Sequence, residues 1–284
     1  MILAGLKCRH CVVLVAALLL LVIPGAGYCY VLQGSHILEL MTKTINEPKG
    51  IIVHQRREIL PREGEKAFTG SILETVWLKP TGSFRSEIVS GEQKRLTVYS
   101  EGNSITVLGG RRIAAQASPT DRYLDILLFR SRQRLEQKLT ESGVDIGVSS
   151  LKRFNSAICF VVGNVNDAQH PSSSSLWVDK ETFLPVRYFV VMNGRQVDIG
   201  YQNWQKVSAS WYPREISISM NQEPGFLIHV DTIEIGSQFP GSFFDVDTLR
   251  VMYPEAAEPP ISTAEPDGVN DIQKSIRDFV RLYE

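Results

Sequence analysis

The chain reads as a mainly β protein: a large antiparallel sheet, strongly curved or closed as an up-and-down barrel, with a few helices laid against it. Three observations carry this. Short runs rich in Val, Ile, Thr, Tyr, Phe and Trp recur from Val53 to Ile235, with Gly, Pro and Asn between them. Leu176–Asp179 and Val186–Met192 flank the charged turn Asp179-Lys180-Glu181-Thr182, which is the pattern of a hairpin. Only two segments between residues 30 and 253 show substantial helical periodicity.

The first 29 residues are set aside as a leader. Lys7, Arg9 and His10 precede an uncharged run from Val12 to Ile23, followed by Pro24-Gly25-Ala26-Gly27, a secretory signal pattern with small residues before the cut. The run is shorter than the ~18 to 20 residues of a bilayer span. Cleavage is expected near Tyr28 or Tyr30; retention as a membrane anchor is the alternative. Cys29 invites a lipoprotein reading, but bulky Tyr28 precedes it where a small residue is usual.

Of four cysteines, Cys8 and Cys11 lie in the leader, Cys29 is at its edge and Cys159 alone is surely mature, so no intramolecular disulfide framework is expected. Cys159 sits in an apolar strand, Ala157 to Val162, where a thiol behaves as a small hydrophobe. Of the 30 Lys and Arg, Lys7 and Arg9 leave with the leader, against 31 Asp and Glu, so the mature charge is about minus three. A nucleic-acid partner is not expected at that balance.

The mature chain is long enough for one large domain, assigned to residues 30–253. Its strands form two series. The first is Val53–Leu60, Ser71–Lys79, Phe84–Ser90, Arg95–Ser100 and Ser104–Leu108. The second is Gly147–Phe154, Ile158–Gly163, Leu176–Asp179, Val186–Met192, Val197–Trp204, Trp211–Met220 and Phe226–Ile235. Helices are expected over Ser35–Thr44 and Thr120–Ser142. The second carries the stripe Leu124, Leu127, Leu128, Leu135 and Leu139, opposed by Arg122, Arg130, Arg132, Arg134 and Lys138, with Thr120 or Asp121 as cap. A sheet this large has more concave face than two helices easily fill, so an apolar cavity is expected.

Residues 254–268 (PEAAEPPISTAEPDG) form a Pro-rich acidic linker. Beyond it Val269, Ile272, Ile276, Phe279, Val280 and Tyr283 recur at helical spacing, making 269–284 an amphipathic helix. It must bury that face against its own domain, in a sheet cavity, or on another protein.

Catalytic patterns are weak. Ser149-Ser150-Leu151-Lys152 matches Ser-x-x-Lys, but no Ser-Asp-Asn, Lys-Thr-Gly or Gly-x-Ser-x-Gly element accompanies it. His36, His54, His170 and His229 have no paired-ligand spacing. No catalytic residue, metal ligand or cofactor is assigned, and the protein is not expected to be an enzyme.

Four segments together resemble the periplasmic lipoprotein carriers of the LolA-like group and the broader outer-membrane lipoprotein-sorting family. They are Val76-Trp77-Leu78-Lys79-Pro80 with Phe84-Arg85; Leu176 to Arg187; Tyr201-Gln202-Asn203-Trp204 with Tyr212-Pro213-Arg214-Glu215-Ile216; and Phe243-Phe244-Asp245-Val246. The resemblance implies an open half-barrel closed by a helical lid, located in the periplasm, that shields the acyl chains of a lipid or lipoprotein. Membrane-anchored placement facing the periplasm is the alternative. An inner-membrane donor, an outer-membrane acceptor and transient membrane contact would serve that transfer.

Under this resemblance Trp77, Phe84, Leu124, Leu127, Leu128, Trp177 and Phe189 are lipid-binding or lid candidates. Each also has a bland reading as core or rim, and the Leu124–Leu128 stripe is either a packed helix or a movable lid. Arg130, Arg132 and Arg134 form a solvated face or meet headgroups. The carrier holds its lid with an arginine before the strand-ending proline. Here that position is Lys79, which lacks the planar fork, and the turn to Phe84 is one residue longer. Related folds also serve as envelope sensors that signal to a protein partner; the C-terminal helix suits that alternative.

Overall fold

A computed structural model describes residues 31–61, 72–113, 119–166, 172–192 and 194–255. The expected leader, the linker beyond residue 255 and the C-terminal helix lie outside these residues. From Leu32 onward the described chain belongs to one unit.

Thirteen strands form a single open sheet in the order β6-β5-β4-β3-β2-β1-β13-β12-β11-β10-β9-β8-β7. The first meander is β1 (Ile51–Ile59), β2 (Ile72–Lys79), β3 (Ser83–Ser90), β4 (Gln93–Ser100), β5 (Asn103–Leu108) and β6 (Arg111–Ile113). The second is β7 (Ser149–Phe154), β8 (Ala157–Val162), β9 (Ser175–Asp179), β10 (Pro185–Met192), β11 (Arg195–Val207), β12 (Ser210–Met220) and β13 (Glu223–Ile235). Each runs antiparallel to its chain neighbour, and the antiparallel β1–β13 pair joins the two meanders. This places β6 and β7 at opposite edges, so the connection between them must travel across the sheet.

That connection carries a 3-10 turn (Pro119–Asp121) and two short helices, α2 (Tyr123–Leu128) and α3 (Arg132–Glu141). The helix expected over Thr120–Ser142 is therefore broken. Phe129 and Ser131 leave helical geometry (ψ 86° and 141°), and the buried Arg130 turns inward, its Nε donating to the Leu127 carbonyl at 2.9 Å. The helix expected over Ser35–Thr44 is α1 (Gly34–Ile45). Strand β6 was missed, being three residues long with only Ile113 apolar.

Inner-face residues follow period 2 along each strand. In β2 they are Ile72, Glu74, Val76 and Leu78, all buried, while Leu73 is 52% exposed on the other face. Helix α1 packs on β8 and β12, α2 on β10 and β12, and α3 against α1. Their fully buried contributions are Ile37, Leu38, Met41, Tyr123, Ile126, Leu127, Leu135 and Leu139. The strands meet them with Val162, Tyr188, Val190, Ile199, Tyr201, Ile216 and Ile218, all buried.

A second core lies on the outer face. Leu96, Val98, Ile105 and Val107 are covered by Phe244, Val246 and Leu249, from a 3-10 turn (Gly241–Phe244) and α4 (Val246–Met252). Asp245 caps α4, its carboxylate accepting from the Asp247 and Thr248 amides at 3.0 and 3.1 Å.

The hairpin read from Leu176 to Met192 forms β9 and β10. Asp179 Oδ1 accepts from the amides of Glu181 and Thr182 and from the Thr182 hydroxyl, at 2.8 to 3.0 Å. This is the Asx-type closure expected of such a turn.

Candidate functional site

The inner face is divided chemically. Across β8 to β13 it is apolar and lies under α1 and α2. Across β1 to β5 the same face carries Gln55, Arg57, Glu74, Ser86, Arg95, Thr97 and Thr106, all buried. The apolar lining expected of this face is found across the first part only, where α1 and α2 cover it. The sequence signal was a charge at the parity of the buried stripe: Ile51, Val53, Gln55, Arg57 in β1 and Ile72, Glu74, Val76, Leu78 in β2.

Glu74 is the hub. Arg57 donates to it from Nε and Nη2 at 2.6 and 2.8 Å, Ser86 Oγ at 2.6 Å, Gln55 Nε2 at 2.5 Å and Tyr123 Oη at 3.3 Å. Burial pushes the Glu74 carboxyl up, but Arg57 and these hydrogen bonds outweigh it, leaving Glu74 below the ordinary carboxylate range. Burial likewise opposes the Arg57 charge, and Glu74 more than restores it, raising Arg57 well above its ordinary value.

The network reaches the β6–β7 connection at two points. Asp121 accepts from Arg95 Nη2 at 2.8 Å and from Arg57 Nη2 at 3.5 Å. The Tyr123 hydroxyl accepts from Gln55 Nε2 at 2.8 Å. From the apolar side, Tyr201 Oη donates to the Tyr123 carbonyl at 2.9 Å. Farther along, Arg130 Nη1 donates to the carbonyls of Ile45 and Asn46 at 3.4 and 3.1 Å, and burial pushes its pKa down to about 10. These polar contacts hold a segment that covers much apolar surface.

Leu124, Leu127 and Leu128 lie in α2, none more than 1% exposed. Phe84 shares the inner face, because it pairs with Leu78. It stacks on Tyr99 (5.7 Å, 18°). Lys138 of α3 lies over the Tyr99 and Phe129 rings at 6.0 and 5.8 Å. Leu124, Leu127, Leu128 and Phe84 are therefore gathered around the connection.

Trp77, Trp177 and Phe189 point the other way. Trp77 pairs with Arg85 and packs edge-on against Phe243 of the outer core at 5.6 Å. Trp177 is fully buried and pairs with Arg187; Phe189, two residues along β10, shares that face. Strand alternation separates them from Phe84 and the α2 leucines. Lys79 ends β2 exposed; Arg57 and Arg95 bind the connection from the sheet, and Arg130 anchors it to the end of α1. Arg130 is 2% exposed, whereas Arg132 and Arg134 are exposed and Arg132 lies 3.5 Å from Glu39.

The outer face of β7 to β12 holds a cleft of about 410 Å³ lined by Phe154, Cys159, Arg187, Asp198, Ser217 and Ser219, among others. Arg187 lies over Phe154 and Trp177 at 5.0 and 5.5 Å and is bound by Asp198. Burial pushes the Cys159 thiol up to about 11, which suits an inert core thiol. The Ser-x-x-Lys match falls in β7, where Ser149 shares a face with Val162 and Lys152 with Cys159. A three-residue spacing in a strand puts the two on opposite faces, so the serine and lysine do not meet. Ser149 Oγ instead donates to the Leu32 carbonyl at 2.7 Å.

No family model and no curated protein matches the chain. Solved structures do. A DUF1329 family protein from Desulfovibrio piger aligns over 76% of this chain and 98% of its own at 15% identity, with a TM-score of 0.50. An outer membrane lipoprotein-sorting protein domain from Vibrio parahaemolyticus aligns over 76% and 97% at 12% identity, also with a TM-score of 0.50. A LolA superfamily protein from Nitrosomonas europaea aligns over 77% and 100% at 11% identity, with a TM-score of 0.45. At these identities the Desulfovibrio and Vibrio proteins establish a likeness of fold: the large, unclosed antiparallel sheet with short helices is the half-barrel expected from the sequence.

Proposed function

We propose that this protein is a periplasmic carrier that holds the acyl chains of a lipid or lipoprotein against the apolar part of its inner face and delivers them across the envelope. The observation that carries the reading is the β6–β7 connection. It crosses the inner face, contributes Leu124, Ile126, Leu127 and Leu128 to a buried apolar layer, and is pinned at Asp121, Tyr123 and Arg130. Swinging it out would replace α2 leucines by acyl methylenes on the same strand surface.

The magnitudes permit this exchange. Each methylene removed from water gains about 0.8 kcal/mol, so an acyl chain of about a dozen carbons offers up to ~10 kcal/mol. Breaking the buried ion pairs at Asp121 costs about 3 to 5 kcal/mol. Exposing Leu124, Ile126, Leu127 and Leu128 would cost a further amount of about 1.5 to 3 kcal/mol each, so ligand burial offsets opening where the displaced side chains find new apolar contacts, and the empty protein stays closed. The fold shared with the Vibrio lipoprotein-sorting domain supports the same class of cargo. No covalent step is needed.

The reading is tested by titrating the mature protein with an environment-sensitive fluorescent fatty acid and following hydrogen exchange in parallel. Saturable binding accompanied by faster exchange of Tyr123–Leu128 amides is expected. Absence of binding, or binding that leaves those amides as protected as before, contradicts it.

A further inference from the structure

Building on the acyl-binding reading, we infer that the ligand is an anionic amphiphile whose phosphate or carboxylate takes the place of the Asp121 carboxylate on Arg95 and Arg57 when the β6–β7 connection opens. On the inner face the buried guanidiniums of Arg57 in β1 and Arg95 in β4 meet the carboxylates of Glu74 and Asp121. Glu74 belongs to β2 and stays with the sheet. Asp121 belongs to the connection and leaves with it.

Departure of Asp121 takes away the carboxylate that Arg95 holds at 2.8 Å. Arg57 keeps its two-pronged bond to Glu74 but loses its contact with Asp121. The opened site then carries one negative charge fewer than the closed one. Removing one partner from a buried ion pair is strongly unfavourable. An anionic head repairs that loss, and a neutral one does not. Asp121 thus acts as an internal surrogate for the ligand's charge.

Two further groups point to the same place. The Thr97 hydroxyl and the Gln55 carbonyl oxygen are buried without a hydrogen-bond partner among the described residues. Thr97 shares the inner face with Arg95 on β4 and lies opposite Ser86; Gln55 lies two residues from Arg57 on β1. A hydroxyl donor on the same strand face as Arg95 suits an anionic oxygen, and a bare acceptor suits a hydroxyl on the same head. The apolar tail would continue onto the neighbouring inner face through Ile228 and Phe226 of β13, which pair with Arg57 and Ile59.

The test uses the full mature protein and four competitors of the fluorescent fatty acid. Three carry one dodecyl chain each: a lysophosphatidic acid, a fatty acid and a monoacylglycerol. The fourth is glycerol phosphate without a chain. The two anionic amphiphiles are expected to displace the probe at concentrations about tenfold or more below the monoacylglycerol, with the gap narrowing in Arg95→Gln. Equal potency of charged and neutral heads overturns this inference and leaves acyl binding standing. Displacement by glycerol phosphate as effective as by the lysophosphatidic acid also overturns it, assigning the site to a free small anion. Failure to bind any chain overturns the acyl-binding reading together with this one. The wild-type series alone decides, so the outcome stands even where Arg95→Gln does not fold.

Discussion

Arg95 of β4 and Asp121 of the β6–β7 connection lie 2.8 Å apart, both almost wholly shielded from water. Their ion pair ties the first meander to a segment whose helix α2 packs on the second. Asp121→Asn keeps the shape and removes the charge, leaving Arg95 without the carboxylate at that contact. A stability loss of about 3 to 5 kcal/mol is expected. Hydrogen exchange should show the loss of protection concentrated in Tyr123–Leu128 rather than in β8–β13; a uniform loss would mean that the connection and sheet open as one unit.

Leu127 separates a movable cover from a fixed core. It is fully buried in α2, and a charge there cannot remain against the strands. Leu127→Glu is expected to tighten acyl-probe binding with a modest drop in Tm, because the connection already swings away and frees the apolar face while the sheet persists. Loss of the whole cooperative transition would identify α2 as core.

Trp77 provides the complementary control, since it packs against Phe243 on the outer face. Trp77→Ala is expected to cost about 3 kcal/mol as a large-to-small change and to leave acyl-probe affinity unchanged, as read by denaturant unfolding and fluorescence titration. A selective loss of affinity at unchanged stability would place the ligand on the outer face instead.

Acid should weaken the inner network in a defined window. The folded-state pKa of Glu74 lies below its ordinary value near 4.5. The stability it contributes is therefore complete above that value and is lost as pH falls through the folded-state pKa. Tm measured against pH should decline over that range in the wild type. Glu74→Gln should lie lower at neutral pH and show a shallower acid limb.

Much of the fold was legible because strand chemistry is local. Val, Ile and aromatic runs with turn residues between them marked twelve of the strands, and Asp179-Lys180-Glu181-Thr182 marked a hairpin turn. The side of the sheet was harder to read. Trp77, Trp177 and Phe189 looked equivalent to Phe84 as large aromatics, yet register turns them to the opposite face, and register is set by pairing between distant strands. Arg130 belonged by helical spacing to a solvated arginine face, but the break at Phe129–Ser131 redirects it to the carbonyls of Ile45 and Asn46. The polar network stayed hidden for a similar reason. Arg57, Glu74 and Asp121 are far apart in sequence, and only the parity of Arg57 and Glu74 within otherwise buried stripes betrays them.

The most direct test of the central claim is native mass spectrometry of the protein recovered gently from its native source, with organic extraction of bound species. The account predicts a stoichiometric acyl-containing ligand with an anionic head. A clean unliganded mass, unchanged after incubation with envelope lipids and acylated peptides, would contradict it.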